Sequence, residues 1–524
     1  MKKIILFAFV ILFFTQCTSV KKQNAHLDKF ISTEKLKLDV DFTYKKLQQL
    51  HPNLYGYISQ SVLDSKFDSL KQTITQPLKP LDFYKKLSPV VAAIRQGHTH
   101  LYAPTTVFTK RETKTLLKKG IGPLSQFDFN FSHDKLFVIK NKSANKTIQP
   151  GTEVIAINHL KPKDLIAEYN TFYTSDGYNT TLKKSQSGKK FSAFFTVENG
   201  IRDSLEYQFK YKDSIKKITI RRLKTDTTEN EVAKNKLLKA KPKLTSAEKE
   251  ALKGLKSKKK INGYNKDSKN YNRNLDFIKK DSSVVLMKIR AFKNGNYKTF
   301  YKQSFETLKK HQTQTLILDL RDNGGGRLTE IANLYSYLSD STFVFLQKSE
   351  VVSRASLFKG AYFHGGSLPV KALKVLFSPF IYSYLLLTVQ KAENGKNYYA
   401  TETRKHKVNK NAFKGKIYVL INGGSFSASS IISSNLKGSK RATFVGEETG
   451  GDYNGTVAGF MPVLPLPNSN LKIRIGIMAM SPYYSTEIKG HGIFPDTQIS
   501  PTLEDVLTPK DSELKWILED LKKQ

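Results

Sequence analysis

One stretch late in the chain combines a tight turn with several hydroxyl side chains. Asn422-Gly-Gly-Ser-Phe-Ser-Ala-Ser429 follows an apolar run, and the residues after it have apolar side chains at helical spacing up to Asn435. A strand, a glycine turn and a helix in that order would hold a serine beside unpaired backbone N–H groups at the positive end of the helix dipole, where an oxyanion is favoured. Ordinary helix capping by serine is the competing interpretation. The stretch is therefore a candidate site for a serine nucleophile.

A second glycine turn and a pair of histidines could complete such a site. Leu318-Asp-Leu-Arg-Asp-Asn-Gly-Gly-Gly326 places three glycines between a predicted buried strand and a helix, and Arg321 could pair there with a carboxylate. A phosphate cradle is the rival interpretation, but no Gly-Lys-Ser/Thr follows. Gly97-His-Thr-His100 supplies imidazoles that titrate near neutral pH. The histidines could also bind a metal, yet no third ligand pattern accompanies them, so neither a metal nor a cofactor is expected.

These motifs together resemble the tail-specific, or C-terminal processing, serine peptidase family, including its tricorn-core and retinoid-binding-protein-like branch. The resemblance rests on four blocks in the family's order: Asp319-Leu-Arg-Asp-Asn-Gly-Gly-Gly326, Asn422-Gly-Gly-Ser-Phe-Ser-Ala-Ser429, Val445-Gly-Glu-Glu-Thr449 and Gly492-Ile-Phe-Pro-Asp496. It extends from about Leu38 to Leu507. It implies an α/β fold with a ClpP/crotonase-like peptidase domain and the hydrolysis of peptide bonds through an acyl-enzyme.

The resemblance also implies a role for individual residues. The implied site consists of the nucleophile Ser427, the general base His98, the orienting acid Glu487, and the oxyanion-hole donors Ala428, Gly324 and Gly325. Ser425 and Ser429 are the non-catalytic neighbours of the nucleophile. A serine hydroxyl is a weak nucleophile until a nearby base accepts its proton, a step worth about 10²- to 10⁴-fold in rate.

The general base separates this sequence from the processing peptidases. Those enzymes use a lysine in a Gly-Lys-Gly after the Glu-x-Thr block, and the matching position here is Asp452. The tricorn-like branch instead uses a histidine from the N-terminal part of the peptidase unit, and His98 matches that position, with His100 as the alternative. A glutamate precedes the closing Gly-x-x-Pro-Asp block in that branch, and Glu487 is the nearest candidate.

The remainder of the chain divides into units that must position these residues. Near-helical spacing of Val40, Leu47 and Leu50 predicts an N-terminal helical region, and period-two alternation after it predicts a β-rich module. Pro150-Gly-Thr-Glu-Val-Ile-Ala-Ile-Asn158 resembles the turn and strand of a PDZ-like domain, which holds an extended peptide by strand addition. The predicted units are a signal peptide at 1–17, the helical region at 25–110, the PDZ-like domain at 115–223, a basic insertion or linker at 224–275, and the peptidase domain at 276–510.

Two segments have alternative interpretations. The insertion is rich in Lys, Asn, Ser and Thr and can bury little surface, but Thr245 and Glu248 form a capping-box pattern that predicts a short helix. A basic arm for an acidic partner is the other interpretation of the insertion. The apolar segment Val375 to Val389 is too short to cross a bilayer and is predicted to be a core helix or a lid over the site, with membrane contact as the lesser option.

The N-terminus predicts export and a lipid anchor. Lys2 and Lys3 precede an unbroken apolar run, and Cys17, the only cysteine of the chain, follows it. This arrangement resembles a bacterial lipoprotein signal, in which the cysteine is lipidated and becomes the mature N-terminus. We therefore expect a protein of the bacterial cell envelope, facing the periplasm or held at the outer membrane. A single cysteine allows no internal disulfide, so stability must come from packing.

The charge of the chain bears on its partners. The formal net charge is +41, with 86 Lys and Arg against 45 Asp and Glu. That excess would suit nucleic acid or an anionic surface, but no RNP-like strand, zinc-ligand cluster or P-loop accompanies it and the lysines are spread throughout. We expect a protein or peptide substrate and no nucleic acid. A binding protein of the same fold, which keeps peptide or lipophilic-ligand binding without turnover, is the opposing class.

Overall fold

The structure is a computed structural model that describes residues 20–224, 245–358, 368–399, 403–508 and 510–523. The signal segment with Cys17 and residues 225–244 of the basic insertion lie outside the described residues. The predictions made for those two segments therefore stay predictions.

The first part of the described chain is helical, as predicted. Its elements are α1 (Val20–Leu27), α2 (Thr33–Leu50), α3 (Gln60–Thr73), α4 (Pro80–Ala92), β1 (His100–Tyr102) and α5 (Lys110–Lys118). In α2, Leu36, Val40 and Leu47 are fully buried, because their spacing puts them on one face of the helix. Past α4 the chain turns at Arg95, whose φ of +59° is left-handed, and enters the Gly97-His-Thr-His segment.

An antiparallel β module follows. Its elements are β2 (Phe127–Ser132), β3 (Lys135–Asn141), β4 (Glu153–Ile157), α6 (Pro162–Tyr169), α7 (Thr181–Asn199), β5 (Ser204–Tyr211) and β6 (Ser214–Arg221). The strands form one sheet in the order β2-β3-β4-β5-β6. The alternation in β5 buries Leu205, Tyr207 and Phe209 on one face. Helix α7 packs on β2, with Gly188 so close to the Phe129 carbonyl that an added Cβ would lie 2.7 Å from it.

The basic insertion ends in the helix that the capping pattern predicts. Its elements are α8 (Ser246–Asn262), β7 (Tyr264–Asn265) and β8 (Asn270–Tyr271). The Thr245 hydroxyl accepts from the Glu248 N–H, and the Glu248 carboxylate accepts from the Thr245 N–H. The next strand, β9 (Arg273–Phe277), already belongs to the main sheet. The main sheet therefore begins at Arg273, three residues before position 276, at which the peptidase domain was predicted to begin.

The remaining chain alternates between strands and helices. Its first half contains β10 (Val284–Ile289), α9 (Tyr297–Lys310), β11 (Thr315–Asp319), α10 (Leu328–Leu338), β12 (Phe343–Val344), β13 (Ser349–Val351), α11 (Leu368–Thr388), β14 (Val389–Lys391), β15 (Asn397–Tyr399) and β16 (Lys405–His406). Its second half contains β17 (Lys416–Ile421), α12 (Ala428–Gly438), β18 (Thr443–Gly446), β19 (Thr456–Ala458), β20 (Val463–Pro465), β21 (Lys472–Arg474), β22 (Met478–Met480), β23 (Thr497–Gln498), α13 (Leu503–Leu507) and α14 (Ser512–Asp520).

The main sheet has the order β23-β18-β17-β11-β10-β9 and is parallel except for β9. Every residue of β11 is buried, as expected for a parallel strand covered on both faces. Helices α9, α10 and α12 contribute to the core on one face, and Ile517 of α14 packs on the other. This layered α/β arrangement confirms the predicted fold class.

Two smaller sheets contain strands from residues 456–480, and one of them also contains β1 of the N-terminal region. In the order β1-β21-β20, strand β1 pairs antiparallel with β21 so that His100 lies opposite Arg474. A five-stranded sheet has the order β14-β15-β13-β22-β19. The pairing of β1 with β21 fixes the Gly97–His100 segment against the half of the molecule that contains the serine turn.

Helix α11 was predicted to be a core helix, but it lies at the surface. Among its described side chains only Leu385 is buried, and most of its leucines and phenylalanines are exposed. Within the described ranges it is the one helix whose length and composition would allow it to cross a membrane. The interpretation as a core helix is wrong, because an apolar composition does not by itself determine which surface covers a helix.

Candidate active site

Ser427 lies at a sharp turn between β17 and α12. Its φ of +59° and ψ of −120° are rarely adopted by a residue with a side chain. Such strain is characteristic of a nucleophile held on a strand-turn-helix elbow, where the hydroxyl is exposed to substrate. The side chain of Ser427 is half-buried, whereas Phe426 and Ala428 on either side of it are buried.

Hydrogen bonds fasten the serine turn to the glycine turn after β11. The Asn422 side-chain oxygen accepts from the N–H of Asp322 and from that of Gly424, both at 2.9 Å. The Ser425 hydroxyl donates to the Leu320 carbonyl at 2.8 Å, which gives this serine a structural role. Because these hydrogen bonds join the two turns, the backbone around Ser427 is held in place without any contribution from substrate.

His98 is within hydrogen-bond distance of the serine. Its Nε2 lies 2.9 Å from the Ser427 Oγ, although the two residues are 329 positions apart in sequence. In the tautomer with the proton on Nδ1, Nε2 accepts the hydroxyl hydrogen, which is the geometry a general base needs. Burial, together with smaller electrostatic contributions from Arg474 and His100, lowers the pKa of His98 to about 3. The imidazole is therefore neutral and able to accept a proton at neutral pH.

Asp176 holds the backbone of the histidine segment in place, and no sequence motif predicted this contact. Its Oδ1 accepts from the Gly97 N–H at 2.7 Å, and the neighbouring Gly177 N–H donates to the Arg95 carbonyl at 2.8 Å. Asp176 is fully buried, and this burial raises its pKa to about 7. It follows a helix in the β module, where no motif distinguishes it, so only the tertiary structure reveals the contact.

Gly97 is also required by the site. A Cβ at this position would lie 2.6 Å from the ring of Phe426 and 3.2 Å from the Thr174 carbonyl. The Phe426 ring packs against His98 as well, with 4.9 Å between the ring centres. Position 97, directly before His98, must therefore have a glycine so that the histidine segment can pack against the serine turn.

Asp452, which the motifs predicted to stand at the lysine position of processing peptidases, has a structural role. Its carboxylate accepts from the Tyr57 hydroxyl at 2.7 Å, the Gly490 N–H at 2.8 Å and the Asn454 N–H at 2.6 Å. Burial raises its pKa, and the hydrogen bond from Tyr57 opposes that effect. None of the hydrogen bonds of Asp452 in the described chain goes to Ser427 or His98. The carboxylate thus connects the N-terminal region to two loops near the site.

One of the three predicted oxyanion-hole donors already has a hydrogen-bond acceptor. Among the described residues, neither the Ala428 N–H nor the Gly324 N–H has a hydrogen-bond acceptor, so both are free for an oxyanion. The Gly325 N–H instead donates to the Asn323 side-chain oxygen at 3.0 Å. Gly325 is therefore wrong as a donor, because the local turn already uses its N–H group.

Gly325 has a steric function instead. Its φ is +93°, and an added Cβ would lie 2.7 Å from the Ala428 nitrogen and 2.8 Å from the Ser427 Cβ. By contrast, an added Cβ on the exposed Gly324 would meet no atom within 4 Å. The two adjacent glycines thus differ sharply in what a methyl group would do.

We expect Gly325→Ala to lower kcat/KM for peptide hydrolysis by about 10²-fold, because a displacement of about 1 Å at the nucleophile can cost that much. Gly324→Ala, the matched control, keeps its N–H and should stay within about threefold of the unchanged protein. Steady-state kinetics on a fluorogenic peptide and a thermal unfolding curve measure both effects. Equal activities of the two variants would contradict the steric role of Gly325.

Glu487 is not part of the assembled group. Its side chain is exposed, and within the described chain it forms no hydrogen bond or ion pair with His98 or Ser427. The loop is fixed next to it, since Thr486 and Asn454 exchange two hydrogen bonds at 2.8 and 3.0 Å. The prediction that Glu487 orients the base is therefore not supported by this arrangement, in which the carboxylate faces solvent.

Two cationic side chains, those of Arg474 and Lys190, lie near the histidine segment. Arg474 lies opposite His100 across the strand pair, and burial lowers the pKa of Lys190 to about 8. Lys190 lies over the Tyr173 ring at 3.3 Å. Neither Lys190 nor Arg474 has a carboxylate partner among the described residues. The described residues contain no cluster of three or more His, Cys, Asp or Glu that could hold a metal ion.

Comparisons with known proteins identify the class to which the fold belongs. Residues 283–499 match the family model of Peptidase family S41. Mature CPAF complexed with lactacystin is similar at 14% identity and a TM-score of 0.59, over 94% of this chain and 98% of that one. Mature CPAF alone is similar at 14% identity and a TM-score of 0.55, over 91% of this chain and 94% of that one. At such identity the likeness shows the fold alone, and no curated protein matches the chain by sequence.

The fold, the serine elbow and the family match together define a serine-type peptidase, which is a hydrolase. The match to peptidase family S41, that of the tail-specific or C-terminal processing peptidases, covers residues 283–499 and confirms the resemblance seen in the four motifs, which all lie within that range. Its substrates are accordingly proteins or peptides.

Proposed function

We propose that the protein is a lipid-anchored endopeptidase of the bacterial envelope that cleaves peptide bonds with Ser427 as nucleophile and His98 as general base. The observation that carries the proposal is the 2.9 Å separation of the Ser427 Oγ and the His98 Nε2. It falls within the range of about 2.6 to 3.2 Å at which a base can remove a proton directly.

The reaction would follow the acyl-enzyme route. His98 Nε2 accepts the hydroxyl proton while the Ser427 Oγ attacks the scissile carbonyl carbon, and the N–H groups of Ala428 and Gly324 donate to the resulting oxyanion. The imidazolium then gives its proton to the leaving amine as the C–N bond breaks. Water, deprotonated by the same imidazole, hydrolyses the ester and restores the Ser427 hydroxyl.

The lipid anchor is supported by sequence. Cys17 is the only cysteine of the chain and follows the apolar core of a predicted export signal after two residues, Thr15 and Gln16. The chain would therefore be exported and then held at a membrane by acyl chains, which supply strong membrane affinity. Labelling with radioactive palmitate, compared between the native chain and Cys17→Ala, measures this modification.

Substrate presentation by the β module is a further part of the proposal. A cavity of about 380 Å³ lies between α5 and the end of α7 and is lined by apolar side chains that include Leu116, Phe195 and Leu205. An apolar cavity of this size suits an apolar side chain of an extended peptide. The module would then hold one part of an unfolded chain while another part enters the site.

The proposal is tested by turnover together with labelling. We expect the purified protein to cleave casein or a fluorogenic peptide and to react with a fluorophosphonate, with mass spectrometry locating the adduct on Ser427. Peptide binding with no turnover and no adduct would instead identify a binding protein that keeps only the fold. An adduct on a different serine would contradict the assignment of the nucleophile.

A further inference from the structure

Helix α11 presents an apolar face to solvent. Leu373, Leu376, Phe380 and Leu387 are 54%, 66%, 72% and 81% exposed. Their spacing of three, four and seven residues aligns them along one side of the helix. Isolated exposed leucines are ordinary, but a continuous row over four helical turns indicates an interaction surface.

The opposite side of the helix is attached to the protein. Leu385 is buried, Ile381 packs on the same core, and Tyr382 meets Phe358 edge-to-face at 5.2 Å between ring centres. The strand that follows the helix, β14, pairs with β15 of the five-stranded sheet. The helix is therefore attached to the protein along this side.

The part of the sequence that contains the helix is basic. Residues 345–415 contain twelve Lys and Arg and only three Asp and Glu. Lys371 and Lys374 lie in the first turns of α11 and Lys391 follows its end, while the helix itself contains no acidic residue. An exposed apolar row with lysines near both ends of its helix matches a bilayer with anionic headgroups, which attract lysine near the membrane surface.

We propose that α11 is a membrane-docking helix, which inserts the row Leu373, Leu376, Phe380 and Leu387 into the interfacial layer of an anionic phospholipid bilayer. This contact is separate from the acyl chains at Cys17 and does not depend on the peptidase activity. It gives the protein a fixed orientation on the membrane, because an acyl chain at the N-terminus limits distance but not rotation. The catalytic domain would then lie against the lipid surface along a defined face.

Vesicle flotation of the chain from Thr18 onward tests the proposal. This chain keeps every described residue and lacks Cys17, so that no acyl chain contributes, and circular dichroism melting confirms that it is folded. We expect binding to vesicles of phosphatidylcholine with phosphatidylglycerol, and weaker binding to phosphatidylcholine alone. The variant Leu376→Glu/Phe380→Glu should bind the anionic vesicles at least about tenfold more weakly.

The matched control places the same charges elsewhere. Leu38 in α2 and Ile215 in β6 are 60% and 55% exposed, so Leu38→Glu/Ile215→Glu should bind within about twofold of the unchanged protein. Equal losses in the two double variants would overturn the proposal, because a general charge effect would then explain the result. So would the absence of binding to anionic vesicles. Self-association that only the α11 substitutions abolish, measured by sedimentation without lipid, would assign the face to a second copy instead.

Discussion

Replacing Ser427 with alanine should lower kcat/KM for peptide hydrolysis by about 10³-fold or more and remove labelling by a fluorophosphonate. The reason is that the alanine side chain has no atom that can form the acyl ester, while the Ala428 and Gly324 N–H groups remain to bind the substrate carbonyl. Because the Ser427 side chain donates to no main-chain group in the described chain, the fold should persist. Progress curves with a fluorogenic peptide and gel detection of the label measure the two effects.

Ser429 provides the control for this substitution. It lies two residues further on in α12, is buried, and its hydroxyl has no hydrogen-bond partner in the structure. Ser429→Ala should therefore keep kcat/KM within about threefold. If Ser427→Ala retained the label while Ser429→Ala lost it, the nucleophile would be Ser429 and the elbow would have another role.

Replacing His98 with alanine should have an effect of the same order as the serine substitution, about 10³-fold in kcat/KM. Among the described residues, the His98 imidazole is the only group in hydrogen-bond reach of the Ser427 hydroxyl, so without it none of them can accept the proton. The matched control is His100→Ala, two residues along the same segment, which should reduce kcat/KM by less than about tenfold. The double variant His98→Ala/Ser427→Ala should be no less active than either single variant, because the two residues act as a unit.

The pH profile of kcat/KM gives an independent measure of His98. The reactive form is the neutral imidazole, and a pKa of about 3 means that protonation, and with it loss of activity, begins far below the usual 6.5. Activity should therefore persist at pH 5. Arg474→Gln removes one of the charges that oppose protonation, so the acid limb should move towards higher pH. A limb near pH 7 that disappears in Asp176→Asn would belong to the Asp176 carboxyl, whose pKa is about 7.

The sequence predicted the elements whose signals are local. Lys416–Ile421 and the helix after Ser427 follow from an apolar run, a glycine turn and a capping residue, all within twenty positions. The resemblance to the family then paired Ser427 with His98, which no local pattern could do. The structure brings these two side chains together as that resemblance implied.

The parts that the sequence missed depend on contacts between distant segments. Asp176 has no motif, and its importance comes from burial beside Gly97. Glu487 was chosen as the nearest glutamate before Gly492, but the orientation of its loop depends on the hydrogen bonds between Asn454 and Thr486. The exposure of α11 was missed because apolar composition is the same for a core helix and for one that lies on a surface.

The separation of the two reacting groups along the chain has a consequence for biosynthesis. His98 is synthesised early, and under the proposed export it would cross the membrane before Ser427, which follows after more than three hundred further residues. A chain that is still being translocated holds an imidazole without an alcohol to activate, so it cannot attack itself or the export machinery. Catalytic competence would thus arrive late, when the serine turn closes onto a histidine segment that has already left the membrane.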